Sequence, residues 1–259
     1  MPSLLRRLAV VAILAAPSAR AQRAAAAPDT LKWPTGTFSI VAMDRTTGEM
    51  GAAVQSRVFS VGNGVLWAES AVGVAATQAI VDVSYGPQAL ELLRKGLPAA
   101  EVVRQVLAND TDPDSVRWSK QGRQFAVLDA NGNIVTHTGP KATTWAGGKV
   151  CAMPHTCAAQ GNILAGPGVV DSMVARFERT EGPLRLRLVA ALEGGQSAGG
   201  DTRGQQSAAL IIVSTKKNCG IWLHNDVILR LQVDDSPEPI KELKRLVERP
   251  EAARKARGC

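Results

Sequence analysis

The order of elements legible in the sequence predicts an α+β fold built on mostly antiparallel sheets. Strand-like segments fall in clusters, hairpin beside hairpin, instead of alternating singly with helices as a doubly wound parallel sheet requires. Helical segments fall between the clusters, mostly in pairs. The composition is globular: of 259 residues 45% are apolar and 20% charged, while 4% are aromatic, so the core rests on Ala, Val, Leu and Ile. That balance excludes a disordered chain, a collagen, a coiled coil and a polytopic membrane protein.

Thr37 to Ala42 (TFSIVA) alternates and is rich in β-formers, and Met50 to Val54 resumes after the turn Asp44-Arg45-Thr46-Thr47-Gly48. Together they predict a hairpin that closes near Gln55-Ser56-Arg57. Val65 to Trp67 and Val72 to Thr77 predict a second hairpin. Gly86 to Lys95 has helical apolar spacing and stops at Gly96. Pro98 to Leu107 is a further helix, with Val102, Val103, Val106 and Leu107 on one face. Gln124 to Leu128 and Asn133 to His137 flank Asn131-Gly132, a strong type I′ turn signal. Cys151 to Gly168 reads as Gly-rich and irregular. Val169 to Glu178 and Leu184 to Leu192 read as helices, Ala208 to Ser214 and Val227 to Val233 as strands, and Pro239 to Val247 as a closing helix.

The termini carry targeting and charge signals. Residues 1–21 have the anatomy of a signal peptide: Arg6 and Arg7, an apolar run from Leu8 to Ala16, then Ala19-Arg20-Ala21 as a cleavage site. The run is too short to span a bilayer, and no later segment reaches the ~20 apolar residues a spanning helix needs. A periplasmic or secreted protein without stable membrane insertion is expected. Residues 22–36 read as a lead-in or pro-segment, 37–247 as one domain, and 248–259 as a basic tail, a solvated and fraying helix. Removing residues 1–21 takes away three Arg and no acid, so the net charge falls from +7 to +4. No aromatic residues interleave with the basic tail and no DNA-binding spacing accompanies it, so nucleic acid is not expected as a partner. The sequence leaves a homo-oligomer open.

Export permits disulfides, and the four cysteines allow three pairings. Cys151 with Cys157 and Cys219 with Cys259 is the preferred set. Cys151, His155 and Cys157 also form C-x3-H-x-C, which is not a standard structural zinc spacing. No metal and no cofactor are expected.

Common catalytic signatures are missing: there is no GxGxxG, Walker A, HExxH or GxSxG. His137, His155 and His224 are the three histidines, and His137 and His224 sit beside strands, where a structural role competes with a catalytic one. Three polar, Gly-rich clusters stand out instead: Gly36-Thr37-Phe38-Ser39, Gln160-Gly161-Asn162 leading to Gly166, and Gly199 to Ser207 (GGDTRGQQS) at the mouth of a buried strand. Turn chemistry alone accounts for Gly, Asp and Asn in such places. Loops at strand mouths are also where sites are commonly built.

The stretches TFSIVAMDRTTGEMGAAVQSR (Thr37 to Arg57), WAES…GVAATQA (Trp67 to Ala79), SYGPQALELL (Ser84 to Leu93), HTG (His137 to Gly139), QGNILAG (Gln160 to Gly166), GGDTRGQQSAAL (Gly199 to Leu210) and VDDSPEPIKEL (Val233 to Leu243) resemble domain-of-unknown-function family 1028, placed in the N-terminal-nucleophile (Ntn) hydrolase superfamily. The resemblance covers nearly all of Thr37 to Leu246. It implies a four-layer αββα sandwich and amide hydrolysis by a Thr, Ser or Cys freed as the first residue, whose own α-amine serves as base. Thr37 fits that role, with Ser39 on the same face of the strand as fallback. Signal cleavage near Gln22 leaves 15 residues ahead of Thr37, so a second cut after Gly36 is required. On the superfamily's geometry, Gln55, Ser56 and Arg57 end the neighbouring strand, with Arg57 acting on the amine or on a substrate carboxylate. Asp201, Arg203 and Ser207 approach from the third cluster to orient the amine, and Gln160 and Asn162 supply oxyanion or substrate donors. The expected function is an exported amidohydrolase acting on a small amide or peptide, cell-wall amides included. The alternative is a non-catalytic periplasmic protein that binds an anionic small ligand through Arg57 and Arg203.

Overall fold

The computed structural model describes residues 36–259. The expected signal peptide over 1–21, and all of the expected lead-in except Gly36, lie outside the described residues. Strands β1 (Thr37–Asp44) and β2 (Glu49–Ser56) form the first hairpin, in a register that sets Thr37 opposite Ser56. The Asp44 carboxylate accepts from the Thr46 and Thr47 amides, and Gly48 takes the positive φ of 73° that ends the turn.

Four further strands extend this hairpin into an antiparallel sheet: β7 (Gly147–Val150), β8 (Thr156–Asn162), β9 (Ser207–Ser214) and β10 (Leu229–Val233), in the order β10-β9-β2-β1-β8-β7. A second antiparallel sheet has the order β3-β4-β5-β6, from β3 (Leu66–Glu69), β4 (Gly73–Ala79), β5 (Arg123–Asp129) and β6 (Ile134–Thr138). Six helices complete the described fold: α1 (Gly62–Val65), α2 (Tyr85–Arg94), α3 (Ala99–Asn109), α4 (Gly168–Arg179), α5 (Leu184–Ser197) and α6 (Pro239–Val247). The expected α+β class with antiparallel sheets is therefore observed.

The two-residue strand period decides which side chains go where. On β1 the even positions Phe38, Ile40 and Ala42 pack under α4, α5 and α6, against Met173, Phe177, Leu188 and Leu243. The odd positions Val41 and Met43 face the other sheet and join Met50, Val54, Val74, Leu128 and Ile211 in a core between the sheets. The outer face of the second sheet buries Phe125 and Val127 under α2 and α3. Here Tyr85 donates to Asp110 at 2.6 Å, and Asp110 receives Arg123 at 2.9 Å, a triad shut off from solvent.

Two expectations require correction. The stretch Cys151 to Gly168 contains an interior strand, β8, lying between β1 and β7. Its sequence TCAAQGN lacks β-branched residues after Thr156, and its small Ala and Gly beside Gln and Asn resemble a loop although every position is buried. The basic tail is not a fraying helix: Pro250–Ala253 is a short 3-10 turn with Ala252 buried, and Lys255 pairs with Glu49 at 2.6 Å. Cys259 is bonded to Cys219 and Cys151 to Cys157, with Cα–Cα separations of 5.6 and 5.2 Å. The second bond uses both thiols of the C-x3-H-x-C group. Among the described residues no helix is long and apolar enough to cross a membrane.

Candidate active site

The space between the sheets changes character along its length. At one end it is the apolar core just described. At the other, the inward positions of β1, β2, β4, β5, β6 and β8 are polar: Thr37, Ser39, Ser56, Gln78, Gln124, Thr136, Thr138, Gln160 and Asn162. Thr37, Ser39, Ser56, Gln78, Gln124, Gln160 and Asn162 are all buried, none more than 3% exposed. Ser39 donates to Gln78 Oε1 at 2.6 Å. Gln78 Nε2 donates to the Thr37 carbonyl at 3.2 Å and to Gln124 Oε1 at 2.7 Å. Gln124 in turn donates to Thr138 Oγ1 and to the Gly147 and Gly161 carbonyls. Gln160 takes a bond from Thr136 and donates to the Ala76 carbonyl, and Asn162 Nδ2 donates to Gln124 and to the Thr37 carbonyl. An apolar seam would avoid the desolvation of so many amides, so this polar end holds geometry at a cost in stability.

Thr37 stands at the head of β1 where this network meets the loop 199–206. Its Oγ1 donates to Ser56 Oγ at 3.1 Å, and Ser56 Oγ donates to the Gly36 carbonyl at 2.5 Å. The same carbonyl receives Arg203 Nη2 at 2.6 Å. Arg203 is fixed by Asp201, whose Oδ1 accepts from the Arg203 amide and Nε at 2.9 and 3.0 Å, and whose Oδ2 accepts Nη2 at 2.6 Å. The fork-on-carboxylate geometry locks the guanidinium plane. Asp201 is held by a bridge to Leu164 beyond the end of β8, and the following Thr202 amide donates to the Ile163 carbonyl. A Cβ on residue 36 would lie 2.8 Å from both Asp201 oxygens and from Arg203 Nη2, so only glycine lets the chain pass this close.

The remaining expected site residues are placed as follows. Ser39 and Gln160 sit one residue pair further into the seam, in register with each other. Ser207 lies opposite Ser56, and its hydroxyl donates to the Val58 carbonyl and accepts from the Val61 amide, which pins the turn after β2. Gln55 has the opposite strand parity to Ser56, and its Nε2 reaches the Gly204 carbonyl at 3.4 Å. The Arg57 amide donates to Asp201, while its guanidinium donates to Gln206 Oε1 at 3.0 Å. The structure thus brings Thr37, Ser56, Asp201, Arg203 and Asn162 together at the head of β1, with Ser39 and Gln160 behind them. It turns Gln55, Arg57 and Ser207 to supporting contacts.

Gln78, Gln124, Thr136 and Thr138 are the seam residues that sequence reasoning passes over. The signal that finds them is parity: each shares the parity of the inward-facing positions of its own strand, where a buried sandwich strand ordinarily carries an apolar residue. His137 lies on the face of β6 that carries Val135, opposite Thr136 and Thr138, and burial pushes its imidazole below its ordinary pKa. Among the described residues no cluster of His, Cys, Asp or Glu is arranged to hold a metal.

Fold and site together define a mixed α+β protein with two antiparallel sheets and a polar, buried pocket end at the head of its central hairpin. The chain belongs to the family of unknown function DUF1028, which matches residues 37–243. It is similar to the crystal structure of protein SPO2555 from Silicibacter pomeroyi, of the same DUF1028 family. The two share 28% identity and a TM-score of 0.71 over 84% of this chain and 88% of that one. A more distant solved structure is Anbu (ancestral beta-subunit) from Yersinia bercovieri, with 10% identity and a TM-score of 0.38 over 80% of this chain and 91% of that one. No curated protein matches the sequence.

Proposed function

We propose that this is an exported Ntn-type amidohydrolase whose nucleophile is Thr37, freed by cleavage of the Gly36–Thr37 peptide bond. The observation that carries the reading is the Gly36 carbonyl, gripped by Ser56 Oγ at 2.5 Å and Arg203 Nη2 at 2.6 Å. Two convergent donors on one carbonyl are what a developing oxyanion needs. In the release step the Thr37 hydroxyl oxygen adds to the Gly36 carbonyl carbon and passes its proton to Ser56 Oγ, which hands its own proton to the Gly36 carbonyl oxygen along the hydrogen bonds already in place. Collapse breaks the C–N bond and returns a proton to the Thr37 nitrogen, leaving an ester. Water then hydrolyses the ester to a Gly36 carboxylate and a free Thr37 with its α-amine.

The freed amine has an ordinary pKa near 8, suited to taking a proton near neutral pH. It takes the proton of its own hydroxyl, which attacks a substrate amide, and one residue supplies nucleophile and base. Asn162, opposite Thr37, has an Oδ1 without a hydrogen-bond partner, suited to accept from that amine. Packing of α4, α5 and α6 on one sheet and α2 and α3 on the other supports the four-layer αββα arrangement of that superfamily. The two disulfides support export to an oxidising compartment.

The test is a comparison of exported wild type with Thr37→Ala and Thr37→Ser on a panel of small amides, with folding checked by circular dichroism. Thr37→Ala abolishes turnover and Thr37→Ser retains part of it. Turnover by Thr37→Ala at the wild-type rate refutes the assignment.

A further inference from the structure

A cavity of about 130 Å³ opens beside Thr37, and its walls are mostly apolar, five valines with Phe59. Val58, Phe59, Val61, Val65, Val81 and Val83 line it, and the polar groups at its floor include Thr37 and Gln78. The turn that carries the first of these walls is fixed by Ser207, which ties Val58 to Val61. A second observation is independent of the cavity's shape. Two of its large apolar side chains stay in water, Phe59 at 64% and Val83 at 50% exposure. Neither contributes to a buried core cluster. Exposed apolar side chains gathered around one opening mark a place where something apolar is meant to sit.

We infer that this cavity is the specificity pocket for a short aliphatic group carried next to the scissile amide of the substrate. The inference rests on Thr37 being the nucleophile only for the position of that amide; the binding of an aliphatic group follows from the walls. Size sets the limit. A cavity of about 150 Å³ lined by Leu, Ile and Phe holds a benzene, so this one covers a group of about four to six carbons and disfavours a charged side chain. Selectivity comes from methylene burial, which is worth about fourfold in affinity per CH₂. Gln78, fixed by Thr37, Ser39 and Gln124, keeps the pocket floor polar only where the amide itself would lie.

The test separates binding from turnover. Wild-type protein as exported is titrated with acetamide, butyramide and hexanamide, and binding is read by ligand-observed NMR before any turnover accumulates. Affinity rises about fourfold per methylene and then levels. Gly64→Val and Val83→Ala are then introduced singly. A Cβ at Gly64 lies 3.3 Å from Val83 Cγ1, so the valine fills the mouth, whereas the alanine removes wall contact at a half-exposed site. Gly64→Val removes the gradient and Val83→Ala flattens it. Affinity that is flat from acetamide to hexanamide, or a gradient untouched by both substitutions, overturns the pocket. Turnover by wild type of acyl-side and amine-side homologous series then locates the group, since only one series shows the gradient. A binding gradient with no turnover of any amide keeps the pocket and refutes the hydrolase reading, so the two claims fail separately.

Discussion

Ser56 Oγ donates to the carbonyl oxygen of Gly36 across the first hairpin at 2.5 Å. The same hydroxyl accepts from Thr37, so one serine joins the Thr37 side chain to the peptide bond that precedes it. The register of β1 and β2, with Thr37 opposite Ser56, makes this contact unavoidable.

Replacing Ser56 by alanine removes one of the two donors on that carbonyl. Loss of one oxyanion donor ordinarily costs about 10² to 10³ in rate. The Ser56→Ala protein therefore accumulates uncleaved at Gly36–Thr37, with release slowed by about two orders of magnitude in a mass-spectrometric time course. Release at the wild-type rate would separate Ser56 from the chemistry.

Gln124 joins four elements through Gln78, Thr138, Asn162 and the carbonyls of Gly147 and Gly161. Gln124→Leu keeps the volume and strands several buried acceptors, each worth about 1–3 kcal/mol. The expected loss is about 2–4 kcal/mol in urea unfolding, because neighbours relax to share the damage. A neutral result would show that water takes over those bonds.

The Tyr85–Asp110–Arg123 triad sets the acid and alkaline limbs of stability. Burial alone would raise the Asp110 carboxyl, but hydrogen bonds from Tyr85, the Asp112 amide and Arg123, with the Arg123 charge, outweigh it and hold it below its ordinary 3.8. A lowered folded-state pKa stabilises above the unfolded value and loses that stabilisation as pH falls through the folded one. Asp110→Asn leaves Arg123 buried without its counter-charge, costs about 3–5 kcal/mol near neutrality, and flattens the loss of stability below pH 3.8. Tyr85 moves the other way: burial, then the Asp110 hydrogen bond and charge, raise its phenol well above the ordinary 10.0. Its stabilisation is complete below that value and is lost as pH rises. Tyr85 is the one tyrosine of the chain, so the phenolate absorbance reads it alone. The folded protein shows no phenolate at pH 10, and the signal appears only with alkaline unfolding.

The Cys219–Cys259 bond closes a separation of 40 residues and ties the tail to the loop before β10. Constraining an unfolded loop of that length is worth about 4 kcal/mol in the chain-entropy account. Cys259→Ser, which also frees Ala252 and Lys255 to leave their contacts, is expected to lower stability by about 2–4 kcal/mol in urea unfolding. An unchanged midpoint would mean the tail is held by its 3-10 turn and the Lys255–Glu49 pair alone.

The first hairpin is readable from TFSIVA and the Asp44–Gly48 turn, and with it the meeting of Thr37 and Ser56. Helices α2 to α6 are readable because each packs one apolar stripe or follows a Pro or Gly boundary. Strand β8 is hidden because it has no β-branched residue after Thr156, and its Ala158, Ala159 and Gly161 beside Gln160 and Asn162 read as a loop. The seam is hidden for the converse reason. Gln78 and Gln124 look like the wet side of a half-buried strand, and only the second sheet, brought over them by long-range packing, makes that side interior. Arg57 illustrates the limit of proximity in sequence. It follows Ser56 directly, yet its guanidinium goes to Gln206, while Arg203, far along the chain, reaches the Gly36 carbonyl.

Intact mass and N-terminal sequencing of protein exported by a native-like host decide whether Thr37 is freed. A chain that begins at Thr37 is expected. A chain that begins near Gln22, with no trace of cleavage after Gly36, would leave Thr37 without a free amine and contradict the nucleophile assignment.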